Sequence, residues 1–134
     1  MGEALEDYLE AILILSNQNK AVRSVDLAVY RGYSRASISY AVKELRNKNY
    51  LEVNKDGHLK LTSSGQVLAN RIYERHCFFK KLLIAAGVSS NQAEIEACKM
   101  EHGISDDSFE KLKTLLDFCL LYTSPSPRDS TSSR

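Results

Sequence analysis

The chain has 134 residues, 43% of them hydrophobic and 26% charged, with three cysteines and a formal net charge of +1. That balance fits one ordinary globular unit or a small domain with an appended element, and no run of about 18 apolar residues offers a membrane span. The N-terminus, M-G-E-A-L-E-D-Y, is acidic where a signal peptide needs positive charge, so a cytoplasmic protein with no membrane partner is expected; its odd cysteine count suits free thiols or metal ligands, not a disulfide framework.

The small net charge conceals an asymmetry. Residues 1–19 carry four acids and no base, whereas residues 20–60 carry nine Lys or Arg against Asp26, Glu44, Glu52 and Asp56, a local excess of +5. A surface for a polyanion therefore belongs between 20 and 60.

In chain order, Leu5, Leu9, Ile12 and Leu13 repeat at i, i+4, i+7 and i+8, which predicts a first amphipathic helix with one buried face. Ser24 is placed to cap a short second helix, V-D-L-A-V-Y, that stops near Gly32. Ser34 is placed to cap a third, R-A-S-I-S-Y-A-V-K-E-L-R-N-K-N, with Ile38, Val42 and Leu45 facing inward. Two helices joined by a Gly-containing turn are a helix-turn-helix signature. The alternating segments of Y-L-E-V-N-K-D-G-H-L-K-L-T around Asp56-Gly57 predict a β-hairpin that reads as a wing. Ser63 or Ser64 is placed to cap a long helix from about Gly65 to Ala86, closed by Gly87. Ser90 opens another, N-Q-A-E-I-E-A-C-K-M-E-H, and Ser105 a last one, D-D-S-F-E-K-L-K-T-L-L-D-F.

The predicted fold is mainly α with a small β-hairpin: a winged helix-turn-helix over 1–62, then an all-helical module over 63–118. Residues 119–134 contain two prolines and five serines, a composition that does not pack. The stretch from Cys119 to Asp129 resembles one reading frame of a sequencing adapter, so 119–134 is expected to be a non-native or disordered tail.

In a helix-turn-helix the second helix enters the major groove, its early residues meeting base edges while basic residues neutralise phosphates. Ser34, Arg35, Ser37 and Ser39 occupy those early positions, with Tyr40 and Lys43 one turn on. Arg31 in the turn and Lys55 and Lys60 on the wing are candidate phosphate contacts. A solvated basic face on any helical hairpin carries similar residues; the ordered succession of helix, turn, helix and Asp-Gly hairpin favours double-stranded DNA.

Near the end of the fifth helix, Cys98, Glu101 and His102 stand at i, i+3 and i+4, a spacing that brings a thiol, a carboxylate and an imidazole to one side. A divalent transition metal takes such a mixture, although a solvated Glu-His pair and a small core cysteine would look the same. Asp7 and Glu10 on the first helix and His76 on the long helix add donors of the same kind. They also suit the wet face of an amphipathic helix and a partly buried structural histidine, and spacing leaves these readings open.

The segments E-D-Y-L-E-A-I, V-R-S-V-D-L-A, G-Y-S-R-A-S-I-S, G-H-L-K-L-T-S-S-G, E-R-H and E-A-C-K-M-E-H-G-I-S, in that order, resemble the diphtheria toxin repressor and manganese transport regulator family from about Glu6 to Phe118. The resemblance implies a metal-activated transcriptional repressor of metal-uptake genes, not an enzyme, that binds a palindromic DNA operator as a homodimer. It implies metal ligation by Asp7, Glu10, His76, Glu101 and His102 as in the manganese branch. Cys98 stands where that branch has a carboxylate and the iron branch a Cys, and Asp7 where the iron branch has a Met. Lys80 and Glu94 replace a carboxylate and a histidine of the iron branch's second site. The expected ion is Mn(II) or Fe(II), with Zn(II) or Co(II) able to bind in vitro. The fifth and sixth helices would form the dimer surface through Ile95, Phe109, Leu112 and Leu115.

Two rival readings follow from the same residues. A winged-helix regulator without metal control would show the same DNA face. A cysteine hydrolase using Cys98 and His102 is disfavoured, because both lie on one helix with no third orienting group and no evident oxyanion donors.

Overall fold

Helix α1 (Glu3–Gln18) is the element around which the rest is built. The computed structural model describes residues 2–18 and 21–123, and side chains as far as 117. Tyr8, Leu9, Ala11, Ile12, Leu13 and Leu15 are all buried, and so is Glu10 among them. The expectation of a single buried face is thereby corrected, since the second, third and fourth helices and the hairpin all pack on α1 and enclose it from several sides.

Helix α2 (Ser24–Arg31) begins one residue earlier than its expected cap allows. Ser24 is already helical, and the Asp26 carboxylate accepts the Arg23 N–H at 2.8 Å in its place. Gly32 closes the helix at φ 71°, its N–H donating to the Ala28 carbonyl. Ser34 caps α3 (Arg35–Asn47) as expected, its Oγ accepting the Ser37 N–H at 3.1 Å, and Ile38, Ala41 and Leu45 turn inward.

Strands β1 (Leu51–Val53) and β2 (Leu59–Leu61) pair antiparallel, Leu51 opposite Leu61 and Val53 opposite Leu59. The connecting loop is longer than a two-residue turn, because Asn54 Oδ1 accepts from the N–H groups of both Asp56 and His58 at 2.9 Å. Gly57 supplies the left-handed residue, and Leu59 N–H donates to the Val22 carbonyl at 2.7 Å, pinning the wing beside the loop before α2.

Helix α4 (Ser63–Ala85) is capped by Thr62 rather than by Ser63 or Ser64. Its Oγ1 accepts from Gly65 N–H at 3.0 Å and its hydroxyl donates to the Asn49 carbonyl at 2.7 Å, so one side chain ties the helix start to the end of α3. A Cβ at Gly65 would run into the Tyr50 carbonyl oxygen. Gly65→Ala is therefore expected to destabilise the fold by about 1–3 kcal/mol. Thermal unfolding reads this, and an unchanged midpoint would show that the junction yields freely.

Helix α5 (Ser90–Met100) is capped by Ser89, one residue before the expected Ser90, and packs on α4 through the fully buried Ala93 and Ala97. It ends at Met100, so Glu101 and His102 lie in the turn that follows. Arg75 on α4 donates to the Glu101 carbonyl at 3.2 Å and fixes that turn.

The chain divides into two compact units, residues 1–102 and residues 103–134. The second begins with α6 (Asp106–Thr123), whose start Ser105 caps by accepting from Ser108 N–H at 3.1 Å. The helical backbone continues past the boundary expected at 118; residues 124–134, the rest of the expected tail, lie outside the described residues. Of the positions expected to face a second copy, Ile95 and Leu115 are exposed, Leu112 is half-buried, and Phe109 is already buried within the chain. No helix among the described residues is long and apolar enough to cross a membrane.

Candidate metal centre

Three segments of the first unit supply six donor side chains. Helix α1 offers Asp7 and Glu10, α4 offers His76, and the end of α5 offers Cys98, Glu101 and His102. The donor atoms of Glu10, His76, Cys98 and Glu101 lie within 4.8 Å of one another, and so do those of Asp7, Glu101 and His102. The fold thus brings together all six residues singled out from the sequence, in two adjoining clusters that share Glu101. Cys98 and His102 both neighbour Glu101, but the helix stops at Met100, and Cys98 groups with Glu10 and His76 while His102 groups with Asp7.

In the first cluster His76 Nδ1 faces inward, 3.6 Å from Cys98 Sγ, 3.6 Å from Glu101 Oε1 and 3.9 Å from Glu10 Oε2. Glu10 is 0% and Glu101 2% exposed, and none of their four carboxylate oxygens has a hydrogen-bond partner among the described residues. Buried carboxylate oxygens left in that state cost stability, so such an arrangement asks for a partner. Burial, and then the neighbouring Glu101, push the Glu10 carboxyl up to about 8. His76 is raised to about 11, chiefly by its contacts with Cys98 and Glu101. Protons here take the place that a cation would hold.

In the second cluster His102 lies between two acids, its Nδ1 2.7 Å from Glu6 Oε1 and its Nε2 2.8 Å from Asp7 Oδ1. Burial works against its protonation, but Glu6 and Asp7 overcome it and raise the imidazole above its ordinary value. Two imidazoles, a thiol and three carboxylates make a mixed set that suits a first-row divalent ion, and the unpartnered buried oxygens give such an ion a reason to bind. The residues fit the group.

Sequence reasoning missed two outer partners. Glu6 was passed over beside Asp7, though it too precedes Glu10 by one helical turn. Glu94 was read only as a sign of a missing second site. Its Oε2 lies 2.9 Å from His76 Nε2 and its Oε1 2.9 Å from Lys80 Nζ. Burial opposes ionisation of Glu94, yet Lys80 and His76 hold its carboxyl below the usual range. With its outer nitrogen engaged, His76 keeps Nδ1 for the cluster.

Arg35, Ser39, Tyr40 and Lys43 are exposed on α3, and Lys55 and Lys60 on the wing. Arg46, not singled out from the sequence, lines one groove with Ser39 and Lys43. Three expected contacts are otherwise engaged. Ser34 Oγ caps α3, Ser37 Oγ hydrogen-bonds the Tyr8 hydroxyl, and Arg31 is half-buried with its guanidinium 5.1 Å from the Tyr30 ring centroid. The Arg31 charge is also felt at Glu10, where it works against the upward shift.

Two family models match the chain: the iron dependent repressor N-terminal DNA binding domain over residues 1–59, and the iron dependent repressor metal binding and dimerisation domain over residues 62–121. An uncharacterised helix-turn-helix transcriptional regulator of Methanocaldococcus jannaschii is 29% identical over 119 residues, 87% of this chain and 95% of its own length. The transcriptional regulator MntR of Escherichia coli is 30% identical over 111 residues, 83% of this chain and 72% of its own. The solved structure of the manganese regulator SloR superposes with a TM-score of 0.77 at 28% identity, over 88% of this chain and 55% of its own; the chain thus spans about half the length of that structure.

Proposed function

The chain belongs to the iron-dependent repressor family, and on that premise we propose that it is a metal-dependent, DNA-binding transcriptional repressor controlling manganese or iron homeostasis in the cytoplasm. The observation that carries the reading is the pair of buried, unpartnered carboxylates, Glu10 and Glu101, facing His76 and Cys98 at the joint between α1, α4 and α5.

Residues 1–62 read DNA and residues 63–118 hold metal and dimerise, with α1 serving both parts. Asp7, Glu10, His76, Cys98, Glu101 and His102 are the ligands. Mn(II) or Fe(II) is favoured by a set in which five of six donor residues offer oxygen or nitrogen; Zn(II) and Co(II) also suit the single thiolate. A bound divalent cation would supply positive charge in place of the protons that Glu10 and His76 otherwise hold. Asp7, Glu10 and Glu101 repel one another when ionised, which loosens the contact between α1 and the end of α5. The arrangement in which they converge is favoured only by as much as the cation prefers it.

On the DNA side, Arg35, Ser39, Tyr40 and Lys43 meet base edges and phosphates in the major groove, and Lys55 and Lys60 meet phosphates from the wing, with Ser34, Ser37 and Arg31 supporting them. The dimerisation domain of the family supports a homodimer. A two-fold dimer reads two half-sites, so the operator is palindromic.

The test begins with duplexes selected from a random-sequence pool by the Mn(II)-loaded protein. Fluorescence anisotropy is then measured with Mn(II), Fe(II) or Zn(II) and with a chelator. Binding that requires metal is expected; binding that is equal in chelator would leave a winged-helix protein without metal control. Glu94 provides a second check. Glu94→Ala releases the outer nitrogen of His76 and is expected to weaken Mn(II) binding by about 10- to 100-fold, whereas Glu94→Gln keeps an acceptor there and most of the affinity. Equal affinities for wild type and Glu94→Ala would show that His76 needs no such support.

A further inference from the structure

Between the metal ligands and the recognition helix stands one side chain that neither function accounts for. Tyr8 follows Asp7 and precedes Glu10 by two residues on α1, and it is 4% exposed. Its ring stacks on that of Tyr33, in the turn between α2 and α3, with centroids 4.1 Å apart and planes at 29°. Its hydroxyl hydrogen-bonds Ser37 Oγ in the first turn of α3. Ser37 is thus held twice, its N–H by the Ser34 cap and its side chain by α1.

We infer that Tyr8 is the positioning residue through which occupancy of the Asp7 and Glu10 sites sets the placement of the recognition helix. The inference rests on the metal-dependent repressor reading and deepens it. Asp7, Tyr8 and Glu10 lie within one turn of a single helix, at 100° and 1.5 Å per residue, so any movement that brings the two carboxylates to a cation carries Tyr8 with them. Leu9 and Ile12 of α1 are buried in the same apolar core as Ile38 and Leu45 of α3. Apolar burial of that kind sets no single direction. A hydroxyl–hydroxyl bond seated by a stacked ring has one favoured geometry, and its far end, Ser37, lies in the first turn of α3, where a recognition helix meets the bases. Coupling of this kind is reciprocal: if Mn(II) tightens DNA binding by some factor, DNA tightens Mn(II) binding by the same factor.

Mn(II) affinity is measured by the electron paramagnetic resonance of the free ion, with and without saturating selected duplex, for wild type, Tyr8→Phe, Ser37→Ala and the double variant. Tyr8→Phe keeps the ring stack and loses only the hydroxyl bond. Without DNA its Mn(II) affinity should stay within about twofold of wild type, while the factor by which duplex tightens Mn(II) should fall about five- to tenfold, the worth of one hydrogen bond. Ser37→Ala should lower that factor equally from the other end, and the double variant no further. An undiminished factor in Tyr8→Phe overturns the inference, as does a loss of duplex affinity that is the same in Mn(II) and in chelator, which is what a purely structural bond would give. Should Tyr8→Phe fail to fold, Ser37→Ala decides by the same factor. A wild-type protein whose duplex binding ignores Mn(II) overturns the underlying reading and this inference with it; a metal-dependent wild type with unaffected variants overturns this inference alone.

Discussion

Glu101→Gln is expected to abolish metal binding at both clusters and, at the same time, to make the metal-free protein more stable. Glu101 belongs to both sets of donor atoms, and both of its oxygens are buried without a hydrogen-bond partner among the described residues. An amide keeps the shape and removes the charge. Loss of an outer partner of a metal ligand already costs about 10- to 100-fold in affinity, so loss of a shared ligand should cost at least about 100-fold. Without metal the change has the opposite sign. At pH 8, where Glu10 is about half ionised, a glutamine can donate an N–H to Glu10 in place of the like-charge part of that contact, at the loss of the ion pair to His76 at 3.6 Å; satisfying such a buried acceptor is worth about 1–3 kcal/mol. Calorimetric titration with Mn(II) and thermal unfolding in chelator at pH 8 read the two halves of this expectation. A variant that bound Mn(II) normally would show that Glu101 is not a ligand, and one that unfolded at a lower temperature than wild type in chelator would show that its ion pairs with His76 and His102 outweigh its contact with Glu10.

The second large effect is on pH. In the metal-free protein both Glu10, pushed up to about 8, and His76, raised to about 11, bind their protons more tightly folded than unfolded. A group with a raised folded value contributes stability that is complete below its unfolded value and is lost as pH rises through the folded one. For Glu10 that window runs from 4.5 to about 8, and for His76 from 6.5 to about 11. The metal-free protein is therefore expected to lose stability steadily between pH 5 and pH 8, each such proton adding at most about 1.4 kcal/mol per pH unit to the slope. His102, also raised, acts in the same direction, while Glu94, held down by Lys80 and His76, titrates below this range. Metal ligation needs the deprotonated groups, so the stabilisation by saturating Mn(II) should grow over the same interval. Unfolding midpoints at several pH values, in chelator and in Mn(II), should diverge as pH rises. Parallel profiles would mean that these protons are not linked to the site.

How far the sequence reached differs between the fold and the site. Hairpin, helix-turn-helix and the long helix were legible because their signals are local: a Ser cap at Ser34, a Gly stop at Gly32, and Asp56-Gly57 between alternating apolar residues. The caps of α2, α4 and α5 slipped by a residue or two, because Asp26, Thr62 and Ser89 compete with equally suitable neighbours; at Thr62 the added bond to the Asn49 carbonyl distinguishes it. All six residues of the two candidate clusters were singled out beforehand, but mostly through resemblance; spacing on separate helices says nothing about whether they meet. The burial of Glu10 ran against its local pattern, which read equally well as a wet helix face. Glu6, Glu94 and Tyr8 were passed over because their roles exist only through side chains between 29 and 96 residues away or across two helices. The engagement of Arg31 with Tyr30 was invisible for a related reason: an exposed and a half-buried arginine in a turn look alike in sequence.

The measurement that bears most directly on the whole reading is duplex binding by wild type and Glu10→Ala, followed by anisotropy in Mn(II) and in chelator on the same selected DNA. Wild type should bind tightly only with Mn(II), and Glu10→Ala should bind no better with Mn(II) than without it, while remaining folded. Tight, Mn(II)-dependent binding by Glu10→Ala would contradict the claim that the buried carboxylates between α1 and α5 are where metal takes control of DNA binding.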